Sequence, residues 1–253
     1  MTLFRVLIVV LPFLGACSLE AAPFEDGEAG RMSEVTGPLS FTLSDTDSPL
    51  EVRLAELDAP DEALSRSALA DGLADRPLRL AYAGQRRDRY GRALAHVYLD
   101  GDPEIWLQAQ LVEAGAARVL SHADNRTATA DLLSLEAVAR AQGRGLWADP
   151  VHAVRDTDPD MLAQDIGSVQ LVEGRVVEAT QLRSGRIYLN FGADYRTDFT
   201  VMIAAGDADL FAEAGLTAGA LETRRIRVRG WIEDENGPMI RVDHPERIEL
   251  LQD

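Results

Sequence analysis

The stretch that decides the fold is Val52-Arg53-Leu54-Ala55-Glu56-Leu57-Asp58-Ala59-Pro60-Asp61. Its first part, within residues 51–55, alternates polar and apolar side chains, as a half-buried strand does. Residues 61–73 are rich in Ala, Leu, Glu and Ser, which predicts a helix soon after the strand. The stretch therefore predicts a strand that leads through a short connection into a helix.

The flanking residues extend this pattern into a small domain. Residues 39–43 alternate as a strand, and the turn cluster at 44–49 joins them to 51–55 as a hairpin. Further strands are predicted at 78–82, 93–99 and 117–119, and further helices at 104–114 and 127–141. Five short strands with three helices predict a Greek-key barrel with helices packed on it.

A second unit follows a predicted linker at residues 149–166, which holds two prolines and several aspartates. Within residues 167–253, three strands, a helix at 207–214 and two more strands follow the order of an OB fold. The predicted strands are 169–177, 186–191, 198–203, 225–232 and 239–242. The sequence therefore predicts a mainly β protein with helices (α+β), built from two OB-fold-like five-stranded barrels.

Four motifs occur in a fixed order in the first unit. After the opening stretch come Asp-Arg-Tyr-Gly-Arg-Ala-Leu-Ala at 88–95, Leu-Val-Glu-Ala-Gly-Ala-Ala-Arg-Val at 111–119 and Gly-Leu-Trp at 145–147. Their order and spacing resemble the staphylococcal nuclease (thermonuclease) family. The resemblance covers about residues 35–148, which is under half of the chain.

The resemblance implies metal-assisted hydrolysis of a phosphodiester in DNA or RNA. Arg53 and Arg92 match the two arginines that clamp the phosphate in the family. Asp58 matches a carboxylate that holds the cation, expected to be Ca²⁺, and Asp61 matches the catalytic carboxylate. This chemistry is physically sound, because a carboxylate-bound cation and guanidinium groups stabilise charge that grows on the phosphate.

Two positions depart from the family pattern. Leu39 stands where the family has a second metal-binding aspartate, and Asp61 is one methylene shorter than the usual glutamate. A rival alignment makes Asp45 the missing ligand, but Asp45 lies only eight residues before Arg53. One carboxylate is a poor site for a cation that takes six to eight oxygens.

The net charge of −17 supports a second hypothesis. An acidic protein repels polyanions unless a local basic patch intervenes. The alternative is a non-catalytic module whose barrels bind a protein, a glycan or nucleic acid, with Arg53 and Arg92 retained for structure. Four arginines form a local basic cluster: Arg86, Arg87, Arg89 and Arg92. The cluster either faces phosphate or balances nearby aspartates in solvent.

Residues 1–17 resemble a bacterial lipoprotein signal. An apolar run at 6–14 is too short to cross a bilayer, and Leu14-Gly15-Ala16-Cys17 resembles a lipobox. We expect Cys17 to carry the lipid. We also expect the chain to be exported and anchored to the outer membrane, where it faces the periplasm. A conventional cleavage near Ala22 is the alternative. Residues 18–34 are poor in apolar side chains and predict a flexible tether.

The remaining candidate side chains carry weaker signals. The four histidines, His96, His122, His152 and His244, lack metal-ligand spacing, so we expect them to be incidental. The tryptophans Trp106, Trp147 and Trp231 are expected in the core. Aromatic residues of the second barrel are candidates for base stacking, although alternate ones must fill its core. They are Tyr188, Phe191, Tyr195 and Phe199.

Overall fold

The computed structural model describes residues 24–74 and 76–252. Among these residues, the first unit contains eight strands. Two of the eight lie where the sequence predicts neither a strand nor a helix. The eight strands are β1 (Glu25–Gly37), β2 (Ser40–Ser44), β3 (Leu50–Leu54), β4 (Leu57–Asp58), β5 (Pro77–Tyr82), β6 (Ala93–Leu99), β7 (Ile105–Trp106) and β8 (Arg118–Val119). Its helices are α1 (Glu62–Leu73), α2 (Leu107–Glu113) and α3 (Thr129–Ala141).

Five of these strands close into a barrel, called the first barrel below. β1 pairs antiparallel with β2 and with β5, and β2 pairs antiparallel with β3. β3 then pairs parallel with β6, and β6 pairs antiparallel with β5. This circuit, with α1 between its third and fourth strands, is an OB-like barrel. Its interior is apolar, and α2 and α3 cover it with side chains such as Leu111 and Leu132.

Strand β1 corrects the predicted tether over residues 18–34. Residues 25–34 lie in β1 and pair with β2 and β5, so residues 39–43 form most of the second barrel strand, not the first. The low apolar content arises partly because glycine is required. A Cβ on Gly30 would lie 2.0 Å from the Ser44 carbonyl oxygen, so no other residue allows this approach. Met32 and Val35 supply the apolar contacts to the core.

A second, curled sheet forms the other unit and is called the second sheet. β10 pairs with β11, β11 with β12, β12 in parallel with β14, and β14 with β13, which also pairs with β9 and β15. Its strands are β9 (Val169–Arg175), β10 (Glu178–Gln181), β11 (Ile187–Asn190), β12 (Thr200–Ile203), β13 (Arg225–Asp234), β14 (Pro238–Val242) and β15 (Ile248–Leu250). The accompanying helices are α4 (Pro159–Leu162), α5 (Ala208–Glu213) and α6 (Ala218–Leu221). The protein is therefore mainly β with helices, as predicted.

The predicted linker at 149–166 is an ordered part of the second unit over most of its length. Leu162 is fully buried in the second core. The Arg155 backbone exchanges hydrogen bonds with β9, and its guanidinium pairs with Asp165 over 2.7 Å. The prolines and aspartates that suggested a linker instead begin short helices: Asp158 caps α4 at its N-terminus. In the described part of the chain, no helix has the length and apolar character needed to span a membrane.

A buried ion pair joins the first barrel to the second sheet. Glu136 on α3 and Arg229 on β13 have fully buried side chains, and Arg229 Nη2 donates to Glu136 Oε2 over 2.9 Å. Arg229 also donates to the Val119 carbonyl oxygen and to the Glu249 carboxylate. Burial by itself lowers the pKa of Arg229, but the two carboxylates outweigh burial and raise it above its ordinary value. The two units therefore dock through the buried Arg229 guanidinium, whose charge is balanced by the carboxylates of Glu136 and Glu249.

Candidate functional site

A cleft of about 350 Å³ opens on the first barrel beside β3 and β6. The loop before β6 and the loop after β8 complete its wall. Three arginines and two aspartates face it, so the formal charge of the lining is positive in a strongly acidic protein. The lining residues are Arg53, Gln85, Asp88, Arg89, Tyr90, Arg92, Leu94, His122 and Asp124.

A tight turn fixes Arg92 at this cleft. The Asp88 carboxylate accepts hydrogen bonds from the backbone N–H groups of Tyr90 (2.9 Å) and Arg92 (3.0 Å) and from Arg92 Nε (2.7 Å). Gly91 has a φ of 80°, which glycine adopts without steric cost. Burial by itself raises the pKa of Asp88, but these hydrogen bonds and the Arg92 charge lower it below its ordinary value. Asp88 is therefore a charged anchor for Arg92.

Arg53 reaches the same cleft from β3. Its guanidinium donates to the carbonyl oxygens of Leu39 (3.4 Å) and Leu57 (3.2 Å). Burial lowers the pKa of Arg53, and the charge of Arg92 lowers it further, against the opposite effect of nearby carboxylates. Two like charges in a partly buried site favour an anion that contacts both. The two arginines of the motifs thus meet at one anion-attracting cleft.

Tyr90, at the tip of the turn, is a cleft residue that the sequence analysis did not single out. Its side chain is 68% exposed. The guanidinium carbons of Arg89 and Arg92 lie 4.8 and 5.3 Å from the centre of its ring, within the range of a cation–π contact. An exposed ring flanked by cations offers a stacking surface to a base and a positive field to its phosphate. The sequence signal was present, because Tyr90 belongs to the turn motif.

Asp58, the predicted cation ligand, is paired with an arginine. Arg118 Nε, on β8, donates to Asp58 Oδ2 over 2.8 Å, and the two side chains are 5% and 24% exposed. The same guanidinium donates to the carbonyl oxygen of Val169, at the start of the second sheet. The Arg118 guanidinium therefore already neutralises Asp58. Its contacts with Asp58 and Val169 hold it in place from both units.

Asp61, the predicted catalytic carboxylate, caps helix α1. Its Oδ1 accepts a hydrogen bond from the Leu64 N–H over 3.0 Å, the interaction expected of an N-cap residue. Asp61 is not among the residues that line the cleft. Its contact is sufficient to explain an aspartate here, and a catalytic role for it stays a prediction.

The residues present do not fit a calcium site. Leu39 is fully buried in the barrel core and contributes only its carbonyl oxygen, which contacts Arg53. Within residues 24–74 and 76–252, no three His, Cys, Asp or Glu side chains come together as metal ligands. Asp45, the rival ligand, lies in the turn before β3 and does not line the cleft. A hard cation needs several oxygen ligands. The matching carboxylate, that of Asp58, is already paired with Arg118.

Two histidines without a predicted role are buried in hydrogen-bond networks. His96 Nε2 lies 3.2 Å from Glu56 Oε1 inside the first barrel. His244 Nε2 lies 2.7 Å from Ser121 Oγ, and its Nδ1 lies 2.6 Å from Asp243 Oδ1. This order resembles a serine hydrolase triad, but Ser121 and His244 are fully buried where the two units meet. The Ser121–His244 contact joins the first unit to the second.

The family comparison agrees with this geometry. Residues 51–149 match the family described as staphylococcal nuclease homologue, which covers all four motifs and the barrel from β3 onward. A comparison with curated proteins found no match. The closed barrel, the order of the motifs and the convergence of Arg53 and Arg92 all point the same way. The chain therefore contains a staphylococcal nuclease-like domain.

Proposed function

We propose that the nuclease-like domain binds single-stranded DNA or RNA at the cleft without cation-dependent hydrolysis. One observation carries this proposal: Arg53, Arg92 and Tyr90 share the cleft, whereas Asp58 is paired with Arg118. The guanidinium groups supply charge-assisted hydrogen bonds to phosphate, and the exposed ring supplies stacking.

Electrostatics explain how an acidic chain can bind a polyanion. The net charge of −17 repels nucleic acid over the molecule as a whole, but the cleft has three arginines against two aspartates. Arg92 already compensates Asp88, so the repulsive charge left in the lining is that of Asp124. Binding that depends on a small positive patch weakens steeply with salt.

Hydrolysis requires more than phosphate recognition. The phosphodiester anion must be neutralised before water can attack it, and the family uses a cation held by several carboxylates for that purpose. Leu39 offers no carboxylate, and Arg118 occupies that of Asp58. Arg53 and Arg92 alone can hold the phosphate, but they do not generate a nucleophile.

A second candidate function is hydrolysis of DNA or RNA, which the family membership of residues 51–149 favours. In that function Arg53 and Arg92 clamp the phosphate, and Asp61 orients water. This function requires Asp61 either to leave its capping position on α1 or to orient water while it caps the helix.

Fluorescence anisotropy with labelled single-stranded DNA and RNA tests the binding function. The protein from residue 18 onward retains every described residue and is suitable for this assay. Arg92→Ala is expected to weaken binding about tenfold to a hundredfold, the effect of losing charge-assisted hydrogen bonds. Arg224→Ala, which removes the same charge from an exposed site on the second unit, is expected to have no effect.

Cleavage is measured on the same samples with calcium, with other divalent cations and with chelator. Binding without cleavage under all conditions supports the proposal. Cation-dependent cleavage that Arg92→Ala abolishes would establish the second candidate. A folded protein that neither binds nor cleaves either nucleic acid would reject both.

We also infer that the second sheet is an OB-like barrel. β9 and β10 are interrupted only at residues 176–177, where Val176 is buried. β9 pairs with β13 and β10 pairs with β11, which supports closure through this bent strand. The two units then share an architecture, and α5 and α6 lie between the third and fourth strands of the second.

Export and lipid anchoring remain a proposal, because Cys17 lies outside the described residues. The lipobox-like Leu14-Gly15-Ala16-Cys17 supports an anchor in the cell envelope. Cys17→Ser is expected to move the protein from the membrane fraction to the soluble fraction and to abolish labelling by a fatty acid. Unchanged labelling of the variant would exclude this site.

A further inference from the structure

A groove of about 340 Å³ lies between the first barrel and the second sheet. His122 lines both the cleft and the groove, so the two cavities are neighbours on either side of this residue. A ligand that passes His122 would run from the first unit toward the second. The groove is lined by Leu120, His122, Val169, Trp231, Arg241, Asp243 and Arg247.

Trp231 is the aromatic group of this groove. It lies on β13 and is 54% exposed, in contrast to the core position that the sequence predicts. Exposing a large apolar ring loses part of the free energy that burial would contribute. A ring beside a basic cleft is a surface on which a base can stack.

Arg247 is the cation best placed to serve a ligand in the groove. Burial lowers the pKa of Arg247 below its ordinary value, although the nearby charges of Asp243 and Asp58 oppose this shift. Its Nε is buried, and among the described residues it has no hydrogen-bond partner. Because Arg247 lines the groove, its partly buried charge favours an incoming anion.

Asp243 is the acidic residue in the lining of the groove, and it lies beside His244 and Arg247. Asp243 contacts His244 Nδ1, and this hydrogen bond and nearby charges lower the pKa of Asp243 below its ordinary value. Arg241 pairs with Glu233 over 2.7 Å and also with Glu235. Arg241 is thus committed to these glutamates, which leaves Arg247 and Trp231 as the groups that can contact phosphate and base.

We propose that a single nucleic acid strand held in the cleft continues past His122 into the groove, where a base stacks on Trp231. This inference rests on the proposed function, because the cleft provides the first contact. An OB fold covers about 4 to 16 nucleotides of single strand, so a ligand of that length extends beyond one cleft. The second sheet then lengthens the binding site of the nuclease-like domain and selects strands over mononucleotides.

The experiment compares a labelled thymidine trinucleotide with a labelled dodecanucleotide, using the protein from residue 18 onward. The longer strand is expected to bind more tightly and to quench tryptophan fluorescence. Trp231→Ala is expected to weaken binding of the dodecanucleotide about 5- to 100-fold, as loss of one stacked base does, and to remove the quenching. It should leave trinucleotide binding unchanged.

Three further variants separate the outcomes. Trp231→Phe retains a ring and should retain most of the affinity, and Leu250→Ala, an exposed apolar residue of β15, should have no effect. Arg92→Ala should weaken both strands. If Trp231→Ala binds the dodecanucleotide as tightly as the unaltered protein while Arg92→Ala binds neither, the groove is not part of the site and the proposed function stands. If the unaltered protein binds neither strand, the proposed function itself fails.

Discussion

Arg118 places a fixed positive charge at the candidate site, whereas a bound metal ion would be an exchangeable one. A guanidinium neutralises a carboxylate through directed hydrogen bonds and stays protonated at every physiological pH. Unlike a metal ion, it does not coordinate water and turn that water into a nucleophile. With Arg118 at 2.8 Å from Asp58, the carboxylate is balanced before any substrate arrives. The Arg118–Asp58 contact is therefore the observation on which the proposal of binding without cation-dependent hydrolysis depends.

Asp58→Asn tests this assignment. Arg118 is 5% exposed, so loss of its partner is expected to lower the free energy of unfolding. The loss is about 1 to 3 kcal/mol, because Asp58 is partly exposed and a fully buried pair costs more. Nucleic acid affinity should be unchanged or higher, since a negative charge near Arg53 is removed. Urea unfolding and anisotropy measure the two effects, with the exposed helix residue Asp71→Asn as control.

The opposite pattern for Asp58→Asn would count against structural pairing. Unchanged stability together with loss of a cation-dependent activity would show that Asp58 binds a cation in solution. The motifs alone identify Arg53, Arg92 and Asp58, because each lies at a fixed place in a short local pattern. They do not identify the partner of Asp58: Arg118 is 60 residues away, and its other contact is a backbone carbonyl of the second unit.

At the level of secondary structure, Asp61 connects the motif to helix α1. An N-cap aspartate satisfies a backbone N–H that the helix itself leaves unpaired, and its negative charge favours the positive end of the helix dipole. This role is sufficient to explain an aspartate at this position of the chain. A cap needs a short side chain, and Asp61 has one.

Asp61→Ala and Asp61→Asn separate capping from catalysis. Alanine removes the cap and is expected to cost about 1 kcal/mol, which lowers Tm by about 2 to 4 °C in a protein of this size. Asparagine caps nearly as well and should leave Tm almost unchanged. Thermal unfolding measures both. If both variants keep their Tm but lose hydrolysis equally, Asp61 is catalytic and the capping account is incomplete.

The sequence predicts most elements but not the one that closes the first barrel. Strands at 51–55, 78–82 and 93–99 and the helix at 61–73 lie within a residue or two of β3, β5, β6 and α1, because their apolar periodicity is strong. β1 has a weak pattern: Gly30 is required by a close backbone approach, and many of its side chains are exposed. Its stability comes from pairing with β2 and β5, which no local signal reveals.

In the whole molecule, polar contacts dock the second sheet on the first barrel. Arg229 reaches Glu136 across 93 residues of sequence, and Arg126 pairs with Glu246 over 3.0 Å. The buried Arg229–Glu136 pair is costly to break, although it contributes little net stability compared with apolar packing, and the partly exposed Arg126–Glu246 pair contributes less. Sequence patterning cannot predict them, because neither partner stands in a motif. Their effect is to hold the groove and the cleft in one fixed arrangement.

Acid should therefore weaken the docked molecule through Glu136. Burial by itself raises the pKa of Glu136, but Arg229, the Val119 N–H and Arg140 outweigh burial and lower it below its ordinary value. A carboxylate with a lowered folded-state pKa stabilises the protein above its unfolded pKa, about 4.3 for glutamate, and that stability is lost as pH falls through the folded value. We expect the free energy of unfolding to fall below about pH 4.3 for this reason.

Glu136→Gln should remove this part of the pH dependence. At pH 7 the variant leaves Arg229 buried without its main partner and is expected to lose about 3 to 5 kcal/mol. Its deficit relative to the unaltered protein should shrink as pH falls toward about 3, because the unaltered Glu136 becomes neutral there too. Urea unfolding across this range measures both curves, with the exposed Glu222→Gln as control. Parallel curves for Glu136→Gln and the unaltered protein would mean that the junction is not held by this charge, and the fixed path from cleft to groove would lose its structural basis.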